Sequence, residues 1–168
     1  MAWEFDRAGD AEGWEATNNA APFQVGDGLA ASTVTGPDPF MLSPALQLDA
    51  ATARLLRIRL RASSGSGLSL YFVTRESPGW VEPKKVSLPI EADGQFHEYL
   101  VDLADRNASW TGTLTQVRLD LDRADEGTAF ALDSIGLDRG RTVHLTPAAP
   151  SCGGTSPSSR RSSEPGST

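Results

Sequence analysis

Arginine recurs at every second position in the run Leu55-Leu56-Arg57-Ile58-Arg59-Leu60-Arg61-Ala62. In an extended strand this spacing turns Leu56, Ile58 and Leu60 to one face and Arg57, Arg59 and Arg61 to the other. A guanidinium grips a carboxylate bidentately, so a row of three equips a surface to hold acidic groups. The same alternation sets Ser69, Tyr71 and Val73 against Leu68, Leu70 and Phe72, and Arg118, Asp120 and Asp122 against Val117, Leu119 and Leu121. If these strands share one sheet, its outer face carries Arg57, Arg59, Arg61, Tyr71, Arg118 and Asp120, a polar surface with an aromatic platform. Two readings stay open. One is a solvated face whose Arg and Asp pair across strands, each pair contributing little. The other is a groove that binds a polar polymer, with uronic or sulfated sugars as the natural ligands.

The chain has four tryptophans. Trp3 and Trp14 sit beside strand residues and read as core or edge packing. Trp80 follows Ser77-Pro78-Gly79, and Trp110 follows Asn107-Ala108-Ser109, so both lie in loops. A loop tryptophan, when exposed, offers a stacking platform to a sugar ring, and loops on rigid sandwiches commonly carry binding groups. The alternative is a tryptophan folded back over the end of the core. That alternative is favoured for Trp110, and both remain open for Trp80.

Carboxylates are plentiful, and no Asp/Glu pair is marked out for glycoside hydrolysis. Asp6 and Asp133 lie near opposite chain ends and become neighbours if the terminal strands pair, while Asp27 sits in a Gly-Asp-Gly turn. Hard oxygen donors of this kind suit Ca²⁺. His97 and His144 are far apart and lack partners at zinc spacings. The single cysteine, Cys152, has no surrounding core to orient a base. No Gly-x-Ser-x-Gly elbow, phosphate loop or His-Glu-x-x-His appears.

The formal net charge is -7, from 15 Lys+Arg against 22 Asp+Glu. That balance argues against nucleic acid as a partner, since phosphate neutralisation needs a basic surface. No run of 18 apolar residues marks a membrane span. Trp3 to Gly9 does not read as a signal peptide, and Met1-Ala2 directly before a strand reads as the start of an excised domain.

These groups must be positioned by strands. Short apolar alternations are cut by turn signals: Gly26-Asp27-Gly28, Gly36-Pro37-Asp38-Pro39, Ser63 to Gly67 and Asp93-Gly94. Strands are predicted over 3–5, 14–17, 23–25, 29–35, 40–43, 55–62, 68–74, 85–89, 97–102, 116–122 and 129–137. Helical period is weak everywhere, with one alanine-rich turn between Asp49 and Leu56. In 96–103, Tyr99, Val101 and Leu103 are expected inside. Trp3-Glu4-Phe5-Asp6 at one end and Phe130 to Leu137 at the other read as strands that pair to close an all-β sandwich. Residues 1–145 form the expected domain. Residues 146–168 are rich in Ser, Pro and Gly with almost nothing apolar, and read as a disordered tail.

The run Trp3-Glu4-Phe5-Asp6, Gly9-Asp10, Glu12-Gly13-Trp14 resembles the opening of galactose-binding-like jelly-roll modules, similar to bacterial carbohydrate-binding modules. Thr35 to Phe40, Asp93 to Tyr99, Val101-Asp102-Leu103, Trp110-Thr111-Gly112 and Leu132-Asp133-Ser134-Ile135 continue the resemblance over 3–138. It implies a jelly-roll β-sandwich of two antiparallel sheets. It also implies a non-catalytic module, monomeric, appended to a secreted or cell-surface protein and bound to a polysaccharide or other glycan. Many similar modules hold a structural Ca²⁺, which points to Asp6 and Asp133, with Asp27 a looser match. Arg57, Arg59, Arg61, Tyr71, Trp80 and Arg118 are the expected ligand-binding residues, on the face reading alone.

Three functions therefore compete. A carbohydrate-binding module predicts an exposed aromatic near the Arg face. A structural or protein-interaction domain of the same fold predicts Trp80 buried and the arginines paired off. An enzyme predicts a deep cleft where Tyr71 or Tyr99 converges with an Arg, and no such acid–base set is visible in the sequence.

Overall fold

The computed structural model describes residues 1–139. The expected tail, the end of the expected 1–145 domain, His144 and Cys152 lie outside them. The strands are β1 (Ala2–Trp3), β2 (Glu15–Asn18), β3 (Gln24–Gly26), β4 (Leu29–Thr33), β5 (Phe40–Leu42) and β6 (Leu48–Asp49). There follow β7 (Leu55–Ala62), β8 (Gly67–Thr74), β9 (Lys85–Pro89), β10 (His97–Asp102), β11 (Thr113–Asp122) and β12 (Ala129–Asp138). One four-residue helix, α1 (Leu103–Arg106), is capped by the Asp102 side chain.

The strands form two antiparallel sheets. The first has the order β10-β7-β12-β4-β3, with β1 added against β12; the second has the order β2-β5-β11-β8-β9, with β6 added against β11. The architecture is a jelly-roll β-sandwich. The first and last strands pair as expected, Ala2 opposite Gly136 and Trp3 opposite Ile135.

The core lies between the sheets. Leu56, Ile58, Leu60, Leu132, Ile135 and Leu137 face it from the first sheet. Met41, Leu68, Leu70, Phe72, Val117, Leu119 and Leu121 face it from the second. Burying such side chains contributes about 1.5–3 kcal/mol each. Trp3 and Trp14 pack edge to face at 5.4 Å, and Phe72 and Trp110 at 4.7 Å. Trp110 is buried and donates its indole N–H to the carbonyl of Ala50, so it closes the end of the core.

Three local departures have physical causes. The opening strand stops at Trp3 because Phe5 adopts φ 55°, a conformation that leaves the sheet. The Glu12 carboxylate accepts the Phe5 N–H at 3.1 Å and fixes that turn. β11 begins three residues earlier than its alternation suggests, because a bulge between Leu114 and Gln116 breaks the period of two. The alanine-rich turn is a single 3₁₀ turn, Ala50–Thr52, capped by Asp49.

Candidate functional site

The expected single Arg–Tyr face does not form. β7 is in the first sheet, while β8 and β11 are in the second. β7 pairs with β12 on one side and β10 on the other, so β8 has no place beside it. Arg57, Arg59 and Arg61 therefore lie on one outer surface of the sandwich, and Tyr71 and Arg118 on the opposite one.

On the second sheet, pairing aligns Leu42, Arg118, Tyr71 and Lys85 in one row, and Phe40, Asp120, Ser69 and Ser87 in the next. The Arg118 guanidinium lies 4.3 Å from the centre of the Phe40 ring and 4.5 Å from that of Tyr71. Its Nε donates to Asp120 Oδ1 at 2.6 Å, and its Nη2 donates to Oδ2. Burial pushes the Asp120 carboxyl above the ordinary carboxylate range despite those bonds. The bonds in turn hold the guanidinium charged. The Tyr71 hydroxyl donates to Glu82 Oε1 at 2.6 Å, and Lys85 Nζ donates to Glu82 Oε2 at 2.6 Å. Burial comes first and the Glu82 bond second in raising the Tyr71 hydroxyl above its ordinary range. Ser69 donates to Asp122 at 2.7 Å. This surface is a closed set of polar partners.

The first sheet is arranged differently. Arg57 pairs with Glu98 at 2.6 Å and Arg59 with Asp133 at 2.5 Å. Arg59 and Arg61 both lie over the Phe96 ring, at 4.6 and 4.9 Å from its centre. Arg61 is exposed, and no carboxylate among the described residues pairs with it. Its side chain lines a groove of about 420 Å³ shared with Gln24, Ala31, Thr33, Ala129 and Phe130. The pairing of Arg61 with Ala131 and of Ala131 with Ala31 explains the groove. Small side chains on β12 and β4 leave room between Arg61 and Gln24.

The three aspartates expected to hold a metal do come together. Asp6, Asp27 and Asp133 line one polar cleft of about 310 Å³ with Glu4, Gly28 and Ser134. Asp27 reaches it from the tip of the β3–β4 hairpin. Asp27 and Gly28 have φ 53° and 75°, the two positive angles of a type I′ turn, which glycine adopts without strain. The donor set is all oxygen and fits a hard cation. The three carboxylates do not draw within 4.8 Å of one another; Glu91, Asp93 and His97 are the set that does among the described residues.

Sequence reasoning passed over Phe96, Gln24 and the Glu91–Asp93–His97 cluster. Phe96 was legible only as an apolar residue on the outer side of its strand. Gln24 carried no signal beyond strand membership. Trp80 is 37 % exposed, on the loop joining β8 and β9. Leu100, on the outer side of β10, is 57 % exposed.

No family model matches the chain, and no curated protein matches it. Solved structures do. A carbohydrate binding module of family 29 aligns with a TM-score of 0.55 at 7 % identity, over 83 % of this chain and 89 % of that one. The chain has the β-sandwich of carbohydrate-binding modules. A non-crystalline cellulose specific carbohydrate-binding module, CBM28, aligns at 0.56 and 15 % identity, over 80 % of this chain and 90 % of that one. A low affinity xylan binding module, CBM86, from Roseburia intestinalis aligns at 0.52 and 12 % identity, over 76 % and 90 %. At these identities the likeness is one of fold. No helix among the described residues is long and apolar enough to cross a membrane.

Proposed function

We propose that this chain is a non-catalytic carbohydrate-binding module, and that its ligand, an acidic polysaccharide, lies along the outer surface of the first sheet. The observation that carries the reading is Arg61, an exposed guanidinium held on Phe96, facing a groove and paired with no carboxylate among the described residues. A guanidinium so placed offers two parallel N–H donors to a uronic carboxylate or a sulfate. The stack on Phe96 fixes it before the ligand arrives, which lowers the ordering cost of binding. Arg59 and Arg57 continue the positive row, although their carboxylate partners must be displaced or shared. Tyr71 and Arg118, on the other surface, serve the fold. Trp80, exposed on its loop, offers a second contact to a long chain.

Ca²⁺ in the Asp6–Asp27–Asp133 cleft is the structural part of this proposal. Four carboxylates, those of Glu4, Asp6, Asp27 and Asp133, line the cleft, and Arg59 neutralises only one of them. A divalent cation would tie the β3–β4 hairpin to the terminal strands. Attachment to a secreted or cell-surface protein and a monomeric state complete the reading. The paired arginines on both sheets favour one competing role, a docking or spacing domain.

The reading is tested by retention on uronic, sulfated and neutral polysaccharide gels. Retention by the anionic gels that Arg61→Ala abolishes supports it. Equal retention of parent and variant on every gel rejects it in favour of docking.

A further inference from the structure

The chain has two lysines, Lys84 and Lys85, adjacent in sequence and opposite in circumstance. Lys85 donates to Glu82. Lys84 is 5 % exposed, and its Nζ donates to the carbonyl of Ser77 at 2.6 Å. No carboxylate among the described residues lies within ion-pair distance of it. An ammonium buried without a counter-charge is destabilising by several kcal/mol. Burial accordingly pushes the Lys84 amine below its ordinary range.

Lys84 lines a second cavity, of about 440 Å³, at the end of the sandwich between the β8–β9 loop and the loop that leads into β11. The volume falls within the range of small-ligand pockets, about 300–1,000 Å³. Ser77, Ser109 and Thr111 add hydroxyls to its wall, and Val81 and Pro83 add apolar surface. Glu76 also lines it, and its Oε2 accepts the Thr113 N–H at 3.1 Å. That bond, first among its causes, holds the Glu76 carboxyl below its ordinary range, so it is ionised at neutral pH.

We infer that this cavity is a second ligand site, separate from the Arg61 groove, and that it takes a single carboxylate-bearing sugar residue. The carboxylate pairs with Lys84, which has two ammonium protons left after the Ser77 bond. A ring hydroxyl donates to Glu76. The C–H face of the ring rests on Val81 and Pro83. The pairing of one fixed cation with one fixed anion sets the selectivity. A neutral sugar leaves Lys84 without a counter-charge. Sulfate brings a charge for Lys84 but has no hydroxyl to donate to Glu76. The inference stands apart from the proposed polysaccharide groove, because none of its residues lies there.

The test uses the full chain with glucuronate, glucose and sulfate as probes. Amine acylation followed by peptide mass spectrometry reads the two lysines separately. Glucuronate is expected to slow acylation of Lys84 and leave Lys85 unchanged, with glucose and sulfate without effect. By calorimetry, Lys84→Met weakens glucuronate binding roughly tenfold or more, as loss of a charge-assisted hydrogen bond does. Arg61→Ala leaves that binding unchanged, which separates this site from the groove. Equal Lys84 acylation with glucuronate and glucose, or unchanged binding in Lys84→Met, overturns the proposal. If Lys84→Met does not fold, the acylation rates of the parent decide alone.

Discussion

Arg118 and Asp120 stand two residues apart on the outer side of β11 and form a bidentate ion pair between the Phe40 and Tyr71 rings. Their side chains are 18 % and 7 % exposed. Arg61, on the opposite sheet, lies over one aromatic ring and meets no carboxylate among the described residues. The first arrangement is complete within the protein. The second leaves a guanidinium to be completed by something else.

Arg118 is therefore a stability residue. Arg118→Ala leaves the Asp120 charge buried and unpaired, which costs about 3–5 kcal/mol when a buried pair is broken. Denaturant unfolding at neutral pH checks this. A large loss of stability is expected; a loss below about 1 kcal/mol, the value of a surface pair, would contradict a buried pair here.

Asp102 ties α1 to β7. Its Oδ1 accepts from Asp105 N at 3.0 Å, and Arg54 Nε donates to its Oδ2 at 2.7 Å. Burial opposes its ionisation, yet these bonds hold the carboxyl below its ordinary value of 3.8. A lowered folded pKa gives stability that is present above 3.8 and lost as pH falls through the folded value. Asp102→Asn keeps a capping oxygen but removes the charge that pairs with Arg54, so it is expected to cost about 0.2–1 kcal/mol at pH 7 and much less at pH 2. Thermal unfolding at both pH values is the check, and an equal cost at both would contradict the assignment.

Two buried tryptophans separate packing from hydrogen bonding. Trp14 Nε1 is buried without a hydrogen-bond partner among the described residues, whereas Trp110 Nε1 donates to Ala50 O at 3.1 Å. Trp110→Phe is expected to be the more destabilising by about 1 kcal/mol, the net value of one hydrogen bond. Equal midpoints in urea for the two variants would refute the distinction.

Alternation in the sequence carries the face of a residue but not the sheet to which its strand belongs. Leu56, Ile58 and Leu60 are buried and Arg57 and Arg61 exposed, as a period of two requires. Nothing in that pattern says that β12, more than sixty residues away, occupies the position beside β7. Sheet membership is a long-range property, and the expected Arg–Tyr face failed for that reason. Along 68–74 both faces are buried, because Glu82 and Lys85 cover Tyr71 and a Ser–Asp network covers Ser69. The Asp6–Asp133 proximity was legible because the paired chain ends fix it. Arg61, Gln24 and the small-residue floor meet only through three strand pairings.

The acidic cleft gives a prediction with a direct readout. Ca²⁺ at a hundredfold excess over its Kd is expected to stabilise the parent by about 2.7 kcal/mol, and chelator to reverse the shift. Asp27→Asn and Asp133→Ala should each lower the response. Asp27→Asn is the cleaner variant, since Asp133 also pairs with Arg59. A melting temperature indifferent to Ca²⁺ and chelator would remove the metal from the account.

The most direct measurement of the central claim is the calorimetric titration of an anionic polysaccharide into the parent and into Arg61→Ala. A Phe96→Leu variant belongs beside them, since it removes the ring beneath the guanidinium. The parent is expected to bind saturably. Roughly tenfold or greater weakening is expected in Arg61→Ala, and a smaller loss in Phe96→Leu. No heat with any anionic polysaccharide, or equal affinity of parent and Arg61→Ala, would contradict the claim.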